Sequence, residues 1–201
     1  NFTAWSTEDS DILLSRSNNN GTLDFSAPVS VCQDPNDQTV PRLLYHDNSL
    51  FVSWSDERPP AQERDQYVQK FTLNGEAQWT PDGIPLIQLM STSNRVGIYP
   101  GDNGSILGTF VSTVEGYCAM RMLADGTQAW PAPVPFCTTQ FEPFPWFHRE
   151  LPDGEGGLVA FWQTTSGDLY AARIRGNGQL GVGMNERERG AQFMVYPNPA
   201  T

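Results

Sequence analysis

Apolar and polar residues alternate through the stretch YVQKFTLNGEAQW, which covers residues 67–79. The alternation stops at Asn74-Gly75 and resumes towards Trp79. A period of two places successive side chains on opposite faces of a strand, and Asn-Gly is a strong signal for a two-residue type I′ hairpin turn. The pattern therefore predicts a β-hairpin that turns at Asn74-Gly75.

The same hairpin pattern occurs four times along the chain. The turn glycines are 54, 51 and 52 residues apart, at Gly21, Gly75, Gly126 and Gly178. A cation lies five residues before each glycine, at Arg16, Lys70, Arg121 and Arg173. An apolar residue lies four residues after each glycine, at Phe25, Trp79, Trp130 and Val182. Such constant spacing indicates a structural repeat.

Two further short strands precede each of the last three hairpins. The segments RLLYH, RVGIY and PWFHREL fit first strands, and SLFVSW, SILGTF and LVAFW fit second strands. About four strands in roughly 50 residues is the size of a β-propeller blade, which buries its faces by stacking against other blades. We expect an all-β, propeller-like array of about four four-stranded antiparallel blades, with an open β-solenoid or consecutive small sandwiches as alternatives. The predicted blades are residues 1–37 (partial), 38–89, 90–139 and 140–184.

The composition suits a turn-rich β protein, because the 201 residues include 18 Gly and 16 Pro and only 17% are charged. The formal net charge of −11 repels phosphate backbones, so nucleic acid is not an expected partner. No apolar run reaches 18 residues, and no transmembrane helix is predicted. Residue 1 falls inside the strand-like stretch NFTAW without a signal peptide, which suggests a piece of a longer precursor.

Motifs of common catalytic sites are missing from the sequence. Neither His46 nor His148 belongs to an HExxH motif, and no GxSxG or P-loop is present. A glycosidase needs two carboxylates across the scissile bond, but the neighbours Asp56 and Glu57 would point to opposite faces of a strand. The other carboxylates considered are Asp65, Glu115 and Glu142. We expect no catalytic residues in this segment.

Calcium is the only ion for which the loops offer a candidate site. The segment DPNDQ brings together the side-chain oxygens of Asp34, Asn36 and Asp37, and Ca²⁺ takes 6–8 oxygen ligands. The EF-hand spacing is absent, so ordinary turn formation by Asp and Asn is the alternative. The cysteines Cys32, Cys118 and Cys137 have no metal-ligand spacing, and no other cofactor is expected.

A cluster of aromatic residues lies outside the repeat, in the segment QFEPFPWFHRE. Its members Phe144, Trp146 and Phe147 alternate with prolines and are candidates for a patch that binds a sugar or a protein. The same residues suit the lining of a seam between two blades, which is the alternative interpretation.

The end of the chain has a different character from the repeats. The charged segment 185–192 fits a linker, and a β-type triplet then leads into Pro197-Asn198-Pro199, where two prolines impose an extended turn. The sequence VYPNPA resembles the opening of the type A C-terminal sorting domain of proteins exported by the type IX secretion system of Bacteroidetes. The match covers residues 193–201, and the residues of the sorting motif are Val195, Tyr196, Pro197, Asn198 and Pro199.

The repeats are also similar to the WxDxR…DxYxQrxxxxGxxxW repeats of secreted proteins from these bacteria. The residues that match are Trp54, Asp56, Arg58, Asp65, Tyr67, Gln69, Gly75 and Trp79, whereas the other three copies depart from the pattern. The resemblance implies an Ig-like sorting domain that begins at residue 193, and export through the translocon with its shuttle and sortase components. It further implies a protein that is secreted or anchored at the outer cell surface.

Three functions are compatible with the sequence. The first is a secreted or cell-surface binding or adhesion module for a glycan or a protein. The second is an accessory part of an extracellular glycosidase or protease whose catalytic residues lie outside this segment. The third is a passenger whose main partner is the secretion translocon.

Overall fold

A computed structural model describes residues 1–59, 65–87, 92–112, 115–137, 147–163 and 169–181. All the regular structure in these ranges is β. The strands are β1 (Phe2–Ser6), β2 (Ile12–Arg16), β3 (Val29–Cys32), β4 (Gln38–His46), β5 (Ser49–Asp56), β6 (Asp65–Phe71), β7 (Ile84–Ile87), β8 (Thr92–Pro100), β9 (Ile106–Ser112), β10 (Gly116–Met122), β11 (Val134–Cys137), β12 (Phe147–Pro152), β13 (Leu158–Gln163) and β14 (Leu169–Ile174).

The strands form four separate antiparallel sheets, which we call blades 1 to 4. Blade 1 has the order β1-β2-β3, blade 2 β4-β5-β6-β7, blade 3 β8-β9-β10-β11 and blade 4 β12-β13-β14. Each blade is a meander in which consecutive strands pair. The first strands β4, β8 and β12 contact one another in turn.

Blade stacking explains why the second strands are apolar on both faces. In β5, Leu50, Val52 and Trp54 belong to a core cluster shared with blade 1, whereas Phe51 belongs to a cluster shared with blades 3 and 4. Phe51 and Trp54 are fully buried, and a side chain of this kind contributes roughly 2–3 kcal/mol on burial. The prediction of an all-β, propeller-like array of blades is confirmed, and the described sheets do not close into a ring.

The repeated turns differ in type from the sequence prediction. In each of the four, the amide of the turn glycine donates to the carbonyl three residues earlier, as Gly75 does to Thr72 at 3.0 Å. The amide of Thr72 also donates to the carbonyl of Glu76 at 2.9 Å. Gly75 has φ +83°, whereas Asn74 is not in the positive-φ region. The turns are therefore three-residue loops, a type I turn followed by a glycine bulge, and the type I′ prediction is wrong.

The second half of the predicted hairpin does not continue as a strand to Trp79. The fourth strand of blade 2 is Ile84–Ile87, and Trp79 precedes it. The hairpin ends in a single bridge between Phe71 and Ala77 rather than in a continuous strand. Trp79 instead packs against blade 3, where an ideal Cβ on Gly126 would lie 3.2 Å from its ring.

The repeated cations have structural roles. The guanidinium of Arg16 lies 5.5 Å from the ring centroid of Phe2 and pairs with Asp24 at 3.1 Å. Lys70 lies over the ring of Phe51 at 5.6 Å. Separately, the described residues include no helix that is long and apolar enough to cross a membrane.

Candidate functional site

A dense polar network lies in blade 2, at the end of β5 away from the repeated turn. Asp56 is fully buried there. Its Oδ1 accepts hydrogen bonds from the backbone amide of Arg58 at 3.0 Å and from Arg58 Nε at 2.8 Å. Its Oδ2 accepts from Arg58 Nη2 at 2.6 Å and from Trp54 Nε1 at 2.7 Å. The thiol of Cys32, in blade 1, also donates to Oδ2 at 3.9 Å, so both carboxylate oxygens are fully engaged.

Arg58 connects this carboxylate to its surroundings. Its Nη2 lies 3.0 Å from Cys32 Sγ of blade 1 and donates to the carbonyl of Asp82 at 3.0 Å. The guanidinium also stacks 4.0 Å above the ring centroid of Tyr67. Burial lowers the pKa of Arg58, but the hydrogen bond and the charge of Asp56 outweigh burial, so the net shift is upward. The arginine is therefore a permanent cation that joins blades 1 and 2.

The network is arranged for stability rather than for acid–base chemistry. A general acid or base must reach a substrate proton, whereas Asp56 is inaccessible and accepts five hydrogen bonds. Its cross-strand partner is Asp65, which is 2% exposed. The candidate Glu115 is exposed, and its Oε2 accepts a hydrogen bond from the thiol of Cys118 at 3.8 Å. Glu142 lies outside the described residues.

A second polar contact joins the first strands of blades 3 and 4. The hydroxyl of Tyr99 donates to Glu150 Oε2 at 3.0 Å. Burial raises the pKa of Tyr99, and the charge and hydrogen bond of Glu150 raise it further. Tyr99 is therefore a neutral donor across the physiological range. The two residues are 51 positions apart, so the sequence alone gave no sign that they meet.

The three cysteines are free thiols and are buried. Burial raises the pKa of Cys32 to about 12, of Cys118 to about 12 and of Cys137 to about 11. Because the thiolate is the nucleophile, a thiol held neutral in this way is unreactive at neutral pH.

The loop of the calcium prediction has turn geometry. Asp34 Oδ1 accepts from the backbone amide of Asn36 at 3.1 Å and from its side-chain amide at 2.7 Å, which is the pattern of an Asx turn. Burial raises the pKa of Asp34, but these two hydrogen bonds outweigh it and the net shift is downward. Arg58 Nε lies 3.9 Å from Asp34. Within the described ranges, no cluster of three His, Cys, Asp or Glu residues is suited to a metal, and calcium binding stays a prediction.

The aromatic and tail predictions fall largely on other parts of the chain. Phe144, Trp146 and the motif residues 195–199 lie outside the described residues. Phe147 begins strand β12, and its side chain is not described. These predictions remain untested.

Strand β4 carries an exposed apolar surface that the sequence did not indicate. Tyr45 is 61% exposed and Leu43 is 37% exposed, and the two share one face of the strand. The side chains opposite them in β5, Leu50 and Val52, are buried against blade 1. The exposed pair thus continues the blade 1–blade 2 seam out to the surface. An accessible tyrosine offers apolar area and a polar hydroxyl together, which is characteristic of binding surfaces.

No protein-family model and no curated protein sequence matches this chain. Among solved structures, it is similar to the α-L-arabinanase of Penicillium chrysogenum complexed with arabinobiose, with 11% identity and a TM-score of 0.48. That alignment covers 89% of this chain and 56% of the arabinanase, so the chain spans little more than half of its length. A candidate hydrolase from Bacteroides ovatus aligns with 10% identity and a TM-score of 0.32, covering 85% of this chain and 65% of the other. Structural similarities this weak do not support any argument about activity.

Proposed function

We propose that this chain is a non-catalytic binding module for an extracellular glycan or protein. The observation that supports this role is the accessible pair Tyr45 and Leu43 on the first strand of blade 2. The groups that could act in catalysis are not available to a substrate. The carboxylate of Asp56 accepts hydrogen bonds from neighbouring residues, and the three thiols are buried and neutral. A surface that binds without reacting fits this distribution of side chains.

Binding at this surface is tested with an array of immobilised polysaccharides and purified extracellular proteins. The wild-type protein is expected to bind at least one class of probe, and Tyr45→Ala is expected to weaken that binding by about tenfold or more, the loss of one anchoring aromatic. Leu180→Ala is the matched control, since Leu180 is exposed to a similar extent, at 50%, but follows the repeated turn of blade 4. Equal binding by wild type and Tyr45→Ala would exclude this surface.

The non-catalytic part of the proposal has its own readout. Soluble and insoluble polysaccharides are incubated with the protein, and reducing ends are measured over time. No release above buffer is expected. Release that persists in repeated preparations would contradict the non-catalytic part of the proposal.

We further propose that the type IX secretion system exports this chain to the medium or to the outer cell surface. The support is the resemblance of Val195-Tyr196-Pro197-Asn198-Pro199 to the first strand of a sorting domain. The test uses the complete natural protein in a bacterium that possesses this secretion system, and compares its extracellular and periplasmic fractions. Tyr196→Ala together with Pro197→Ala is expected to retain the protein in the periplasm. Normal export of that variant, matching the control Gln192→Ala, would contradict the proposal.

A further inference from the structure

Asparagine followed by glycine occurs four times along the chain, and the structure places these pairs in two kinds of turn. Three pairs lie in the repeated turns, at Asn20-Gly21, Asn74-Gly75 and Asn177-Gly178. The fourth pair, Asn103-Gly104, lies in the turn between β8 and β9 of blade 3. The same chemical group is thus present in two different backbone environments.

In the three repeated turns, a hydrogen bond holds the amide of the glycine. Each amide donates to the carbonyl three residues earlier, with N···O distances of 3.1, 3.0 and 2.8 Å at Gly21, Gly75 and Gly178. The side chain of Asn177 is held as well, because its Oδ1 accepts from the amide of Gln179 at 3.0 Å. Base removes the hydrogen of a bonded amide only when that bond opens, which is the principle of native-state hydrogen exchange. These three glycine nitrogens are therefore protected from reaction.

The turn between β8 and β9 leaves the corresponding amide without such a bond. Asn103 and Gly104 have φ +49° and +70°, and the amide of Ser105 donates to the carbonyl of Asp102 at 2.9 Å. Two central residues of positive φ define a type I′ turn. The amide of Gly104 donates to none of the described residues. The side chain of Asn103 is exposed, and it too makes no hydrogen bond with the described part of the chain.

An unbonded amide that follows an asparagine can attack the asparagine side chain. The nitrogen of Gly104 forms a bond to Cγ of Asn103 while the Cγ–Nδ2 bond breaks. The side-chain nitrogen leaves as ammonia and takes the proton of the Gly104 amide with it. Water then opens the cyclic imide at either carbonyl, which gives aspartate or isoaspartate. Glycine favours the attack because it has no Cβ to hinder the approach of its nitrogen.

We infer that Asn103 is the site at which the folded chain deamidates, ahead of the three asparagines that precede glycine in the repeated turns. Gly104 is buried, but side chains form its cover. An ideal Cβ on Gly104 would lie 2.7 Å from Oδ2 of Asp47 and 3.3 Å from Cβ of Ala124. Asp47 is exposed, and exposed side chains change rotamer within nanoseconds, so this cover does not hold the amide as a backbone hydrogen bond does.

The product places a new negative charge where blade 2 meets blade 3. A carboxylate at position 103 adjoins Asp102, which is already bonded to Arg121. On its other side it adjoins Gly104, over which Asp47 of blade 2 lies. Like charges at this separation repel each other, so deamidation weakens the contact between the two blades. Isoaspartate also lengthens the main chain, which the type I′ turn does not absorb without a change of shape.

Peptide mapping by mass spectrometry measures the reaction at all four sites in one sample. The wild-type protein is incubated at neutral pH and physiological temperature, and the conversion of each asparagine to aspartate and isoaspartate is followed over time. Asn103 is expected to convert about tenfold faster, or more, than Asn20, Asn74 or Asn177. Equal rates at the four sites would overturn the inference. A faster rate at Asn20, whose glycine is exposed, would overturn it too, since exposure of the glycine would then govern the reaction.

The unfolded chain is the matched control for the effect of the turns. In concentrated urea none of the four pairs keeps its turn, so the rates at the four asparagines should become similar. A preference for Asn103 that persists in urea would come from the neighbouring residues in the sequence and would contradict the inference. Hydrogen exchange of the folded protein gives a second readout, in which the amide of Gly104 should exchange faster than that of Gly75.

Two substitutions test the consequence for the contact between the blades. Asn103→Asp introduces the charge of the product, and Asn74→Asp introduces the same charge in a repeated turn, where the glycine packs against the apolar Phe25 and Val29. Asn103→Asp is expected to lower the Tm by about 2 °C more than Asn74→Asp does. Equal changes in Tm would contradict the link between deamidation and the contact of blades 2 and 3.

Discussion

The two ends of each blade are built on different principles. At the end with the repeated turns, all four blades use the same backbone hydrogen bonds, with a glycine of positive φ in each. At the opposite end, blade 2 is fixed by the buried Asp56–Arg58 pair. Blade 3 has Ser112 at the position of Asp56, and Ser112 accepts a backbone hydrogen bond from Glu115 at 3.1 Å.

The difference shows which part of a repeat the chain must preserve and which part is adjustable. The turn end stacks blade on blade, so a change there disturbs two blades at once. The opposite end is closed by residues that differ from blade to blade. The consequence is that mutations at equivalent positions have similar effects at the turns that a preceding blade covers, and unequal effects at the other end.

The largest expected loss of stability concerns Asp56, which lies in blade 2 at the end opposite the repeated turn. Asp56→Ala leaves Arg58, whose side chain is only 14% exposed, and the Trp54 indole without their acceptor. Removing one member of a buried ion pair costs about 3–5 kcal/mol in the free energy of unfolding. Thermal and urea denaturation measure this loss, with a decrease in Tm of about 10 °C.

The control is Ser112→Ala, at the equivalent position of blade 3. It removes a neutral hydrogen bond and is expected to cost about 1 kcal/mol. Similar losses for the two variants would contradict the view that this end is specific to each blade.

An intermediate effect is expected at the turn end and concerns glycine. Gly126→Ala introduces a Cβ at φ +89°, 2.8 Å from Ile84 and 3.2 Å from Trp79 of blade 2. Backbone strain alone costs about 1–3 kcal/mol, and the contact with blade 2 adds to it. The free energy of unfolding from urea titration gives the total.

Gly21→Ala provides the matched reference for that measurement. Gly21 has a similar φ of +79°, but an ideal Cβ there has no described atom within 4 Å. Gly21→Ala should therefore show the strain without the contact, and cost about 1 kcal/mol less than Gly126→Ala. Equal losses in the free energy of unfolding would show that the packing of Trp79 against Gly126 does not limit the size of the residue there.

The smallest expected effect concerns the cation that spans a seam. Lys70→Met removes the donor to the carbonyl of Ala124 and the charge over the ring of Phe51, but keeps the apolar stem. A loss of about 1 kcal/mol is expected from one partly exposed hydrogen bond with a cation–π contact. Arg175→Met, at an exposed position in a turn of blade 4, should change the free energy of unfolding by less than about 0.5 kcal/mol. A loss for Lys70→Met as small as this would show that the seam contact is neutral.

The sequence predicted the turn end better than any other part. Four glycines at near-constant spacing indicated the repeat, because only a residue that tolerates positive φ fits there. The prediction of the turn type was wrong because an Asn-Gly pair fits both a type I′ turn and a type I turn with a glycine bulge. Loop length distinguishes the two, and it depends on which residues pair across the hairpin.

The candidate site was less accessible to sequence reasoning. Trp54, Asp56 and Arg58 stand together in the sequence and were recognised as a motif, but their contact with Cys32 depends on how blade 1 stacks on blade 2. Likewise, the exposure of Tyr45 follows from the packing around β4 and not from its own pattern of residues. Properties set by neighbouring blades require the three-dimensional arrangement.

Native-state hydrogen exchange at the four turn glycines tests the repeat most directly. Each of these amides donates a hydrogen bond of 2.8–3.1 Å to the carbonyl three residues earlier, so all four should exchange more slowly than an unfolded chain. In this 201-residue chain, Gly75, Gly126 and Gly178 should exchange at least tenfold more slowly than Gly21, because only Gly21 lacks a covering ring from a preceding described blade. An unprotected amide at Gly75, Gly126 or Gly178, or equal rates at all four, would contradict the stacked four-blade array.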